Sequence, residues 1–458
     1  MQQMQHSYPF PGRRPIPAKT VCFVSDPLPL MRQTRAENAT RCNINSRNRA
    51  PVAWRPAAQK CPITPNIAIW KMSKLQGHAS WLVRHIAFSA IFFAGALLAP
   101  AAQEHPILPI GSPAPDFALP GVDGQIHRLA DYAASPVLVI VFTCNHCPIA
   151  QMYEQRLMRL YEDYRDKGVA MVAIQPNAPE ALRLDELDSS DLSDTLEEMK
   201  IRAAYKHLTY PYLYDGETQS VARAYGPQAT PHIFVFDRER RLRYEGRVDN
   251  SYRTELVKTQ DARHAIDALL AGKPVEVAHT GVFGCSTKWK EKEAERMAAL
   301  RKLEEKPVNL ELASVGDLRK LRENAAKKLT LVAFWDTQCD ACLTQLAGME
   351  TTYRMYSVRG LELVTVAADS PGARAAVEQV LQTQHATSRN LLFAEGNAEA
   401  RRAFDPAWDS TVPYTALLTP DGRMVYGKPG IVDMLELRRT ILANFDWEYD
   451  GFSRYWSR

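Results

Sequence analysis

Two Cys-x-x-C motifs, each placed between a strand-like run and a helix-like run, constrain this chain more than any other feature. The segment Cys144–Cys147 follows the apolar run 137–142, and Cys339–Cys342 follows the run 329–335. A sulfur at a strand-to-helix junction lies near unsatisfied backbone N–H groups and the positive end of a helix dipole. This position lowers the pKa of a thiol. The pattern therefore predicts two thiol–disulfide redox centres in one chain.

The two cysteines of each motif are predicted to have different roles. Cys144 and Cys339 are expected to be the more exposed, attacking sulfurs. Cys147 and Cys342 are expected to lie one turn into their helices and to resolve the mixed disulfide. A protonated His146 would stabilise the Cys144 thiolate, whereas an exposed His146 would have little effect.

The first part of the chain has the composition of an unfolded leader followed by an export signal. Residues 1–71 contain eleven Lys or Arg against two Asp or Glu and show no apolar period, so we expect disorder. Residues 72–102 combine a basic start, the apolar run 86–99 and small residues at a cleavage point, which is typical of a secretory signal peptide.

Because a signal peptide should be N-terminal, we expect translation to begin at Met72. The alternative is that the leader is a genuine disordered or targeting segment. After cleavage no stable membrane span is expected, because the apolar run is shorter than the ~20 residues that a spanning helix needs. The predicted location is extracytoplasmic, either periplasmic or secreted, where a dithiol can stay oxidised or be cycled.

The charge of the remaining chain excludes one class of partner. From Gln103 onward there are 43 Lys or Arg and 50 Asp or Glu. This acidic balance argues against nucleic acid as a partner. Protein thiols and disulfides, or small thiols, are the expected partners.

The order of predicted elements repeats along the chain. Each half contains a strand, a Cys-x-x-C, a helix, further strands and helices, a β-hairpin and a final helix. We predict a first domain at 106–275, a charged helical linker at 276–307, a second domain at 308–446 and a C-terminal tail at 447–458. The sequence leaves open whether the linker allows a relay between the two centres or holds them apart.

These motifs resemble the thioredoxin-like superfamily. The segment Gly111–Phe117 is similar to the opening motif of the redoxin branch, which includes alkyl hydroperoxide reductases and thiol-specific antioxidants. The second half resembles thioredoxins that deliver reducing equivalents outside the cytoplasm. The resemblance implies an α/β fold of two tandem thioredoxin-like domains, each a central mixed β-sheet flanked by helices. It implies no cofactor other than the redox-active disulfides, and no metal.

The resemblance also implies a substrate surface beside each dithiol. Thr230-Pro231 and Val412-Pro413 match the position of the cis-proline in such folds, where the preceding backbone meets an extended substrate. Trp335 is expected to line the substrate surface of the second centre, with a core position as the alternative. His146 is assigned to the corresponding surface of the first centre.

Two other functions stay open from the sequence. A thiol-dependent peroxidase fits the redoxin resemblance, although Val141 stands three residues before Cys144, where those enzymes have Thr or Ser. An exported copper chaperone would use thiolates and a histidine such as His146 or His232. Stoichiometric copper in the reduced protein would favour the chaperone.

A fifth cysteine of the predicted mature chain, Cys285, follows the first domain in the segment Gly284–Trp289. This segment is similar to one that recurs after redoxin domains of this type. We expect Cys285 to be a buried, inert cysteine, with an auxiliary thiol as the alternative.

Overall fold

The computed structural model describes residues 105–393, 397–409, 411–447 and 455–456. The predicted leader 1–71 and signal peptide 72–102 lie outside these residues, as do Cys22, Cys42 and Cys61. Among the helices in the described ranges, none is both long enough and apolar enough to cross a membrane.

The described chain alternates strands and helices in two successive sets. The strands are β1 (Ala118–Pro120), β2 (Ile126–Arg128), β3 (Val137–Phe142), β4 (Val169–Gln175), β5 (Tyr212–Tyr214), β6 (Ala229–Thr230), β7 (His232–Phe236), β8 (Leu242–Gly246), β9 (Cys285–Ser286), β10 (Leu310–Ala313), β11 (Thr330–Trp335), β12 (Glu362–Ala367), β13 (Arg389–Phe393), β14 (Tyr414–Leu418) and β15 (Met424–Pro429). The α-helices are α1 (Pro148–Arg165), α2 (Leu196–Lys206), α3 (Ser220–Tyr225), α4 (Asp261–Leu270), α5 (Glu293–Glu304), α6 (Val315–Arg322), α7 (Asp340–Tyr356), α8 (Arg374–Thr383), α9 (Asn397–Phe404) and α10 (Met434–Ala443).

The first half of the chain, residues 105–292, is organised by a five-stranded sheet with the order β5-β4-β3-β7-β8. The central strand β3 pairs in parallel with β4 and antiparallel with β7. Every residue of β3 is buried, as expected for a β-branched run covered on both faces of a sheet. The end of β3 therefore delivers the first Cys-x-x-C to the centre of one sheet edge.

The second half, residues 293–456, contains a six-stranded sheet with the order β10-β13-β12-β11-β14-β15. Its central strand β11 also pairs in parallel on one side, with β12, and antiparallel on the other, with β14. The predicted α/β class, with mixed sheets flanked by helices, is confirmed.

The segment 176–207 of the first half packs against the second half. Within this segment only α2 is α-helical, and the part before α2 contains two short 3-10 turns. Leu182 and Leu187 from these turns are buried in a cluster with Leu331 and Met349 of the second half. The two halves therefore share part of their apolar core.

Two segments expected to be connecting pieces contribute to folded structure. β9 lies inside the predicted linker 276–307 and pairs antiparallel with β6 of the first half. Trp456, in the predicted tail, is buried in the apolar cluster of the second half. After β9, α5 supplies the helix that was expected in the linker.

Candidate functional site

The first Cys-x-x-C lies at the junction between β3 and α1. The helix begins at Pro148, and Cys147 is its N-cap residue. Proline suits the first helical position because its fixed φ matches the helix and its missing N–H has no intrahelical partner there. The prediction that Cys147 lies one turn inside the helix is therefore wrong, since Pro148 starts the helix one residue after it.

The first-centre sulfurs are enclosed by β6 and by β9. Thr230 contacts both, through its hydroxyl at 3.1 Å from the Cys144 Sγ and through its carbonyl at 3.3 Å from the Cys147 Sγ. The backbone N–H of Cys285 donates to the Cys147 Sγ at 3.2 Å. Cys144 is 3% exposed and Cys147 is 0% exposed. The structure thus places the predicted attacking sulfur, Cys144, in a buried position.

The two thiols differ in their ionisation. Burial raises the pKa of Cys144, and its hydrogen bond to Cys147 raises it further. Burial also raises the pKa of Cys147, but hydrogen bonds from Cys144 and Cys285 and the nearby charge of His146 outweigh burial and hold this pKa well below its usual range. The negative charge is therefore expected on Cys147, at the helix start, rather than on Cys144.

A buried ion pair lies behind the dithiol. The His146 Nδ1 is 2.6 Å from the Asp194 Oδ2, and both side chains are at most 1% exposed. Burial lowers the pKa of His146, but the charge and hydrogen bond of Asp194 outweigh it and raise this pKa. Burial raises the pKa of Asp194, yet the charge and hydrogen bond of His146 prevail and lower it.

Asp194 also fixes the backbone of the dithiol loop. Its Oδ1 accepts the N–H groups of Asn145 and His146 at 2.9 and 3.1 Å, and its Oδ2 accepts from the Asn177 amide at 2.8 Å. His146 was expected on a substrate surface, but it is buried. From this buried position the charge of His146 can lower the pKa of Cys147, but the side chain cannot contact a substrate.

Sequence reasoning missed Asp194. It lies about fifty residues beyond the dithiol, in a segment without a strand period or a motif. The strand before the dithiol contains no carboxylate, and no local pattern indicates that a carboxylate distant in sequence approaches the dithiol loop.

The second Cys-x-x-C lies at the junction between β11 and α7. Here the first cysteine, Cys339, is the N-cap residue, and its sulfur accepts the N–H of Cys342 at 3.0 Å. Cys339 and Cys342 form a disulfide. Cys342 is buried inside the helix, as predicted, whereas Cys339 is partly exposed. The two centres therefore differ in which cysteine caps the helix, and only the second Cys-x-x-C has a partly exposed cysteine.

The predicted cis-prolines are confirmed. The Thr230-Pro231 and Val412-Pro413 peptide bonds are both cis, and the carbonyl oxygen of Val412 lies 4.0 Å from the Cys339 Sγ. Trp335, by contrast, is 2% exposed and packs with Cys342 in an apolar cluster. Helices cover both faces of β11, so Trp335 takes the core position rather than the expected surface.

The first centre also contains atoms of the kind that bind metals. Single ligand atoms of Cys144, His146 and Asp194 lie within 4.8 Å of one another, although His146 and Asp194 already bind each other. His232, the other histidine proposed as a copper ligand, has hydrogen-bond partners on both ring nitrogens. Its Nε2 is 2.8 Å from the Glu245 carboxylate, and its Nδ1 accepts a backbone N–H at 3.2 Å.

Comparison with known proteins gives the class of the first half. Residues 110–245 match the family model of the AhpC/TSA family. Thiol-disulfide oxidoreductase ResA of Geobacillus thermodenitrificans is 28% identical over 142 residues, which are 31% of this chain and 70% of that protein. Residues 110–245 therefore form a redoxin domain of the thioredoxin-like superfamily, as the resemblance in the sequence predicted.

Two solved structures are similar to about two fifths of the chain. An uncharacterized conserved protein from Geobacillus kaustophilus is 41% identical, with a TM-score of 0.36, and the match covers 40% of this chain and 94% of that one. A hypothetical protein from Sinorhizobium meliloti 1021 is 36% identical, also with a TM-score of 0.36, and the match covers 40% of this chain and 97% of that one.

Proposed function

We propose that the protein is a thiol–disulfide oxidoreductase with two Cys-x-x-C centres, which exchanges disulfides with protein thiols or small thiols. The observation that carries this proposal is the repeated position of the dithiols. Each follows the central strand of a mixed sheet, places one sulfur at a helix N-cap and lies beside the residue that precedes a proline. The related ResA protein is named as such an oxidoreductase.

The proposal extends to the second half and to the location. We infer that the second half is also a thioredoxin-like domain, because β12-β11-β14-β15 repeats the pairing directions of β4-β3-β7-β8. We infer export from the signal-like pattern of residues 72–102. No bound cofactor is needed, because the electrons move through sulfur alone.

The two centres are suited to different redox states: the second to a disulfide that a partner can attack, and the first to the reduced dithiol. In the second centre the partly exposed Cys339 can be attacked by a partner thiol, while the buried Cys342 takes the electron pair as leaving group. In the first centre the low pKa of Cys147 stabilises the reduced form, because it stabilises a thiolate, and a stabilised reduced form makes a disulfide more oxidising.

A redox titration tests the proposal. The full chain is equilibrated in glutathione buffers of graded potential, and the alkylated and disulfide-linked forms of each motif are counted by peptide mass spectrometry. We expect two separate two-electron transitions. A midpoint near ~−270 mV indicates a reductant and one near ~−120 mV an oxidant.

Single substitutions assign the transitions. Cys144→Ser is expected to abolish the Cys144–Cys147 transition only, and Cys339→Ser the Cys339–Cys342 transition only. Loss of turnover at both centres from one substitution would instead require an electron relay between them. A chain in which neither motif forms a disulfide at any potential would contradict the proposed function.

A further inference from the structure

Cys285 lies against the first centre. β9 pairs antiparallel with β6 and places Cys285 opposite Thr230. The backbone N–H of Cys285 donates to the Cys147 sulfur at 3.2 Å, and the Cys285 side chain packs against the buried cluster that contains Cys147. Cys144 belongs to the same buried cluster. Cys147 therefore has two thiols in reach, one on each of two chain segments.

The segment that carries Cys285 is built into the fold. Gly284 has a φ of 146°, and a Cβ at this position would lie 2.0 Å from the Thr230 carbonyl oxygen, so only glycine permits this approach. The Thr287 hydroxyl donates to a backbone carbonyl at 2.6 Å, and the Lys288 N–H donates to the Asn177 side chain at 2.8 Å. The contact between Cys285 and Cys147 is thus held from both sides.

The three sulfurs differ in access to solvent. Cys144 and Cys147 are both buried, whereas Cys285 is partly exposed. In thiol–disulfide exchange, the attacking thiolate must approach a disulfide sulfur along the S–S axis. The exchange rate therefore depends on access to that sulfur as well as on ionisation of the attacking thiol. Of these three cysteines, Cys285 is the most accessible to an external thiol.

We propose that Cys285 is the sulfur through which the first centre exchanges disulfides with a small external thiol. The inference rests on the proposed oxidoreductase function. It assigns a redox role to a residue that the sequence led us to expect to be inert.

The exchange within the protein conserves electrons. Starting from a Cys144–Cys147 disulfide, the Cys285 sulfur attacks the Cys147 sulfur. The Cys147–Cys285 bond forms, the Cys144–Cys147 bond breaks, and Cys144 takes the electron pair and the proton that Cys285 loses. The disulfide has then moved to the accessible sulfur with no change in oxidation state.

The exchange with the external thiol completes the reaction. A small thiolate attacks Cys285 and forms a mixed disulfide, while Cys147 leaves as a thiolate. A second small thiol attacks the external sulfur of the mixed disulfide, releases a small-molecule disulfide and restores the Cys285 thiol. In total, two external thiols are oxidised and one protein disulfide is reduced. The reverse sequence reduces a small-molecule disulfide.

Glutathione serves as the probe for the test on the full chain. The oxidised protein is mixed with reduced glutathione, quenched with acid and mapped by peptide mass spectrometry. We expect Cys285→Ala to slow reduction of the first-centre disulfide about tenfold or more. The matched control Ser286→Ala changes the exposed neighbour on the same strand and should leave the rate unchanged. Reduction of Cys339–Cys342 should be unchanged in both variants, which also reports that the fold is intact.

A trapping experiment covers the case in which Cys285→Ala does not fold. In Cys147→Ser, glutathione disulfide should leave a stable adduct on Cys285, because the sulfur that would release it is gone. An adduct on Cys144 instead, or an unchanged reduction rate in Cys285→Ala, would overturn the inference and leave the proposed function standing. Failure of the intact protein to form any disulfide among these three cysteines would contradict the proposed function at this centre as well.

Discussion

Replacement of Asp191 by alanine is expected to destabilise the folded chain by about 3–5 kcal/mol, the cost of leaving a buried charge unpaired. Both Asp191 and Arg202 are fully buried, and the Asp191 Oδ1 accepts from the Arg202 guanidinium. The Asp191 Oδ2 accepts from the Arg439 Nε of the second half at 2.7 Å. Among the described residues, the next carboxylate near Arg202 is Glu154, at 3.7 Å, which is too far to replace a direct hydrogen bond.

Chemical denaturation of intact and variant protein measures this cost. The matched control is Asp185→Ala in the same segment, where Asp185 pairs with Arg183 at 3.0 Å and both side chains are more than two fifths exposed. Exposed pairs contribute little, so the control transition should stay close to that of the intact protein. If Asp191→Ala shifts the transition no more than Asp185→Ala does, Asp191 does not anchor the two halves.

Replacement of Asp194 by asparagine is expected to cost about 3 kcal/mol of stability at about pH 5, since it removes one charge of a buried pair. The folded pKa of Asp194 is lowered, so its contribution is present above about pH 4 and is lost as the pH falls through the folded value. The folded pKa of His146 is raised, so its contribution is complete below about pH 6.5 and is lost as the pH rises through the folded value.

The difference in unfolding free energy between intact protein and Asp194→Asn should therefore be largest between about pH 4 and pH 6.5 and should shrink on either side. Denaturation curves recorded from below about pH 4 to above about pH 6.5 provide the measurement. Asp123→Asn is the matched control, because Asp123 pairs with His127 at 3.0 Å in a more exposed position. A pH-independent difference for Asp194→Asn would show that the buried pair is not charged.

The strands and the dithiol junctions were predictable because local patterns determine them. The continuous apolar runs before Cys144 and Cys339 specify buried central strands. The start of the first helix was also encoded locally, since Pro148 favours the first helical position and makes Cys147 the N-cap. Because a helix N-terminus stabilises a thiolate, Pro148 indicates from the sequence that the thiolate lies on Cys147 rather than on Cys144.

The contacts that complete the first centre were not predictable, because each joins segments that are distant in sequence. Asp194 reaches His146 from a largely irregular segment, and Cys285 reaches Cys147 on a strand of only two residues. Neither segment has a period that a sequence pattern could reveal. The expected surface position of Trp335 was wrong for a different reason. A continuous apolar strand does not indicate which of its aromatic side chains, if any, reaches the surface.

Ultraviolet titration of the thiolate in the reduced full chain tests the central claim most directly, namely that the Cys147 sulfur is ionised at the start of α1. The chain should carry serine at Cys339 and Cys342, so that the second centre does not contribute. We predict one thiolate that persists well below the free-cysteine pKa of about 8.5, that is retained in Cys144→Ser and that is lost in Cys147→Ser. A thiolate signal that appears only in the free-cysteine range, or that survives Cys147→Ser, would contradict the account.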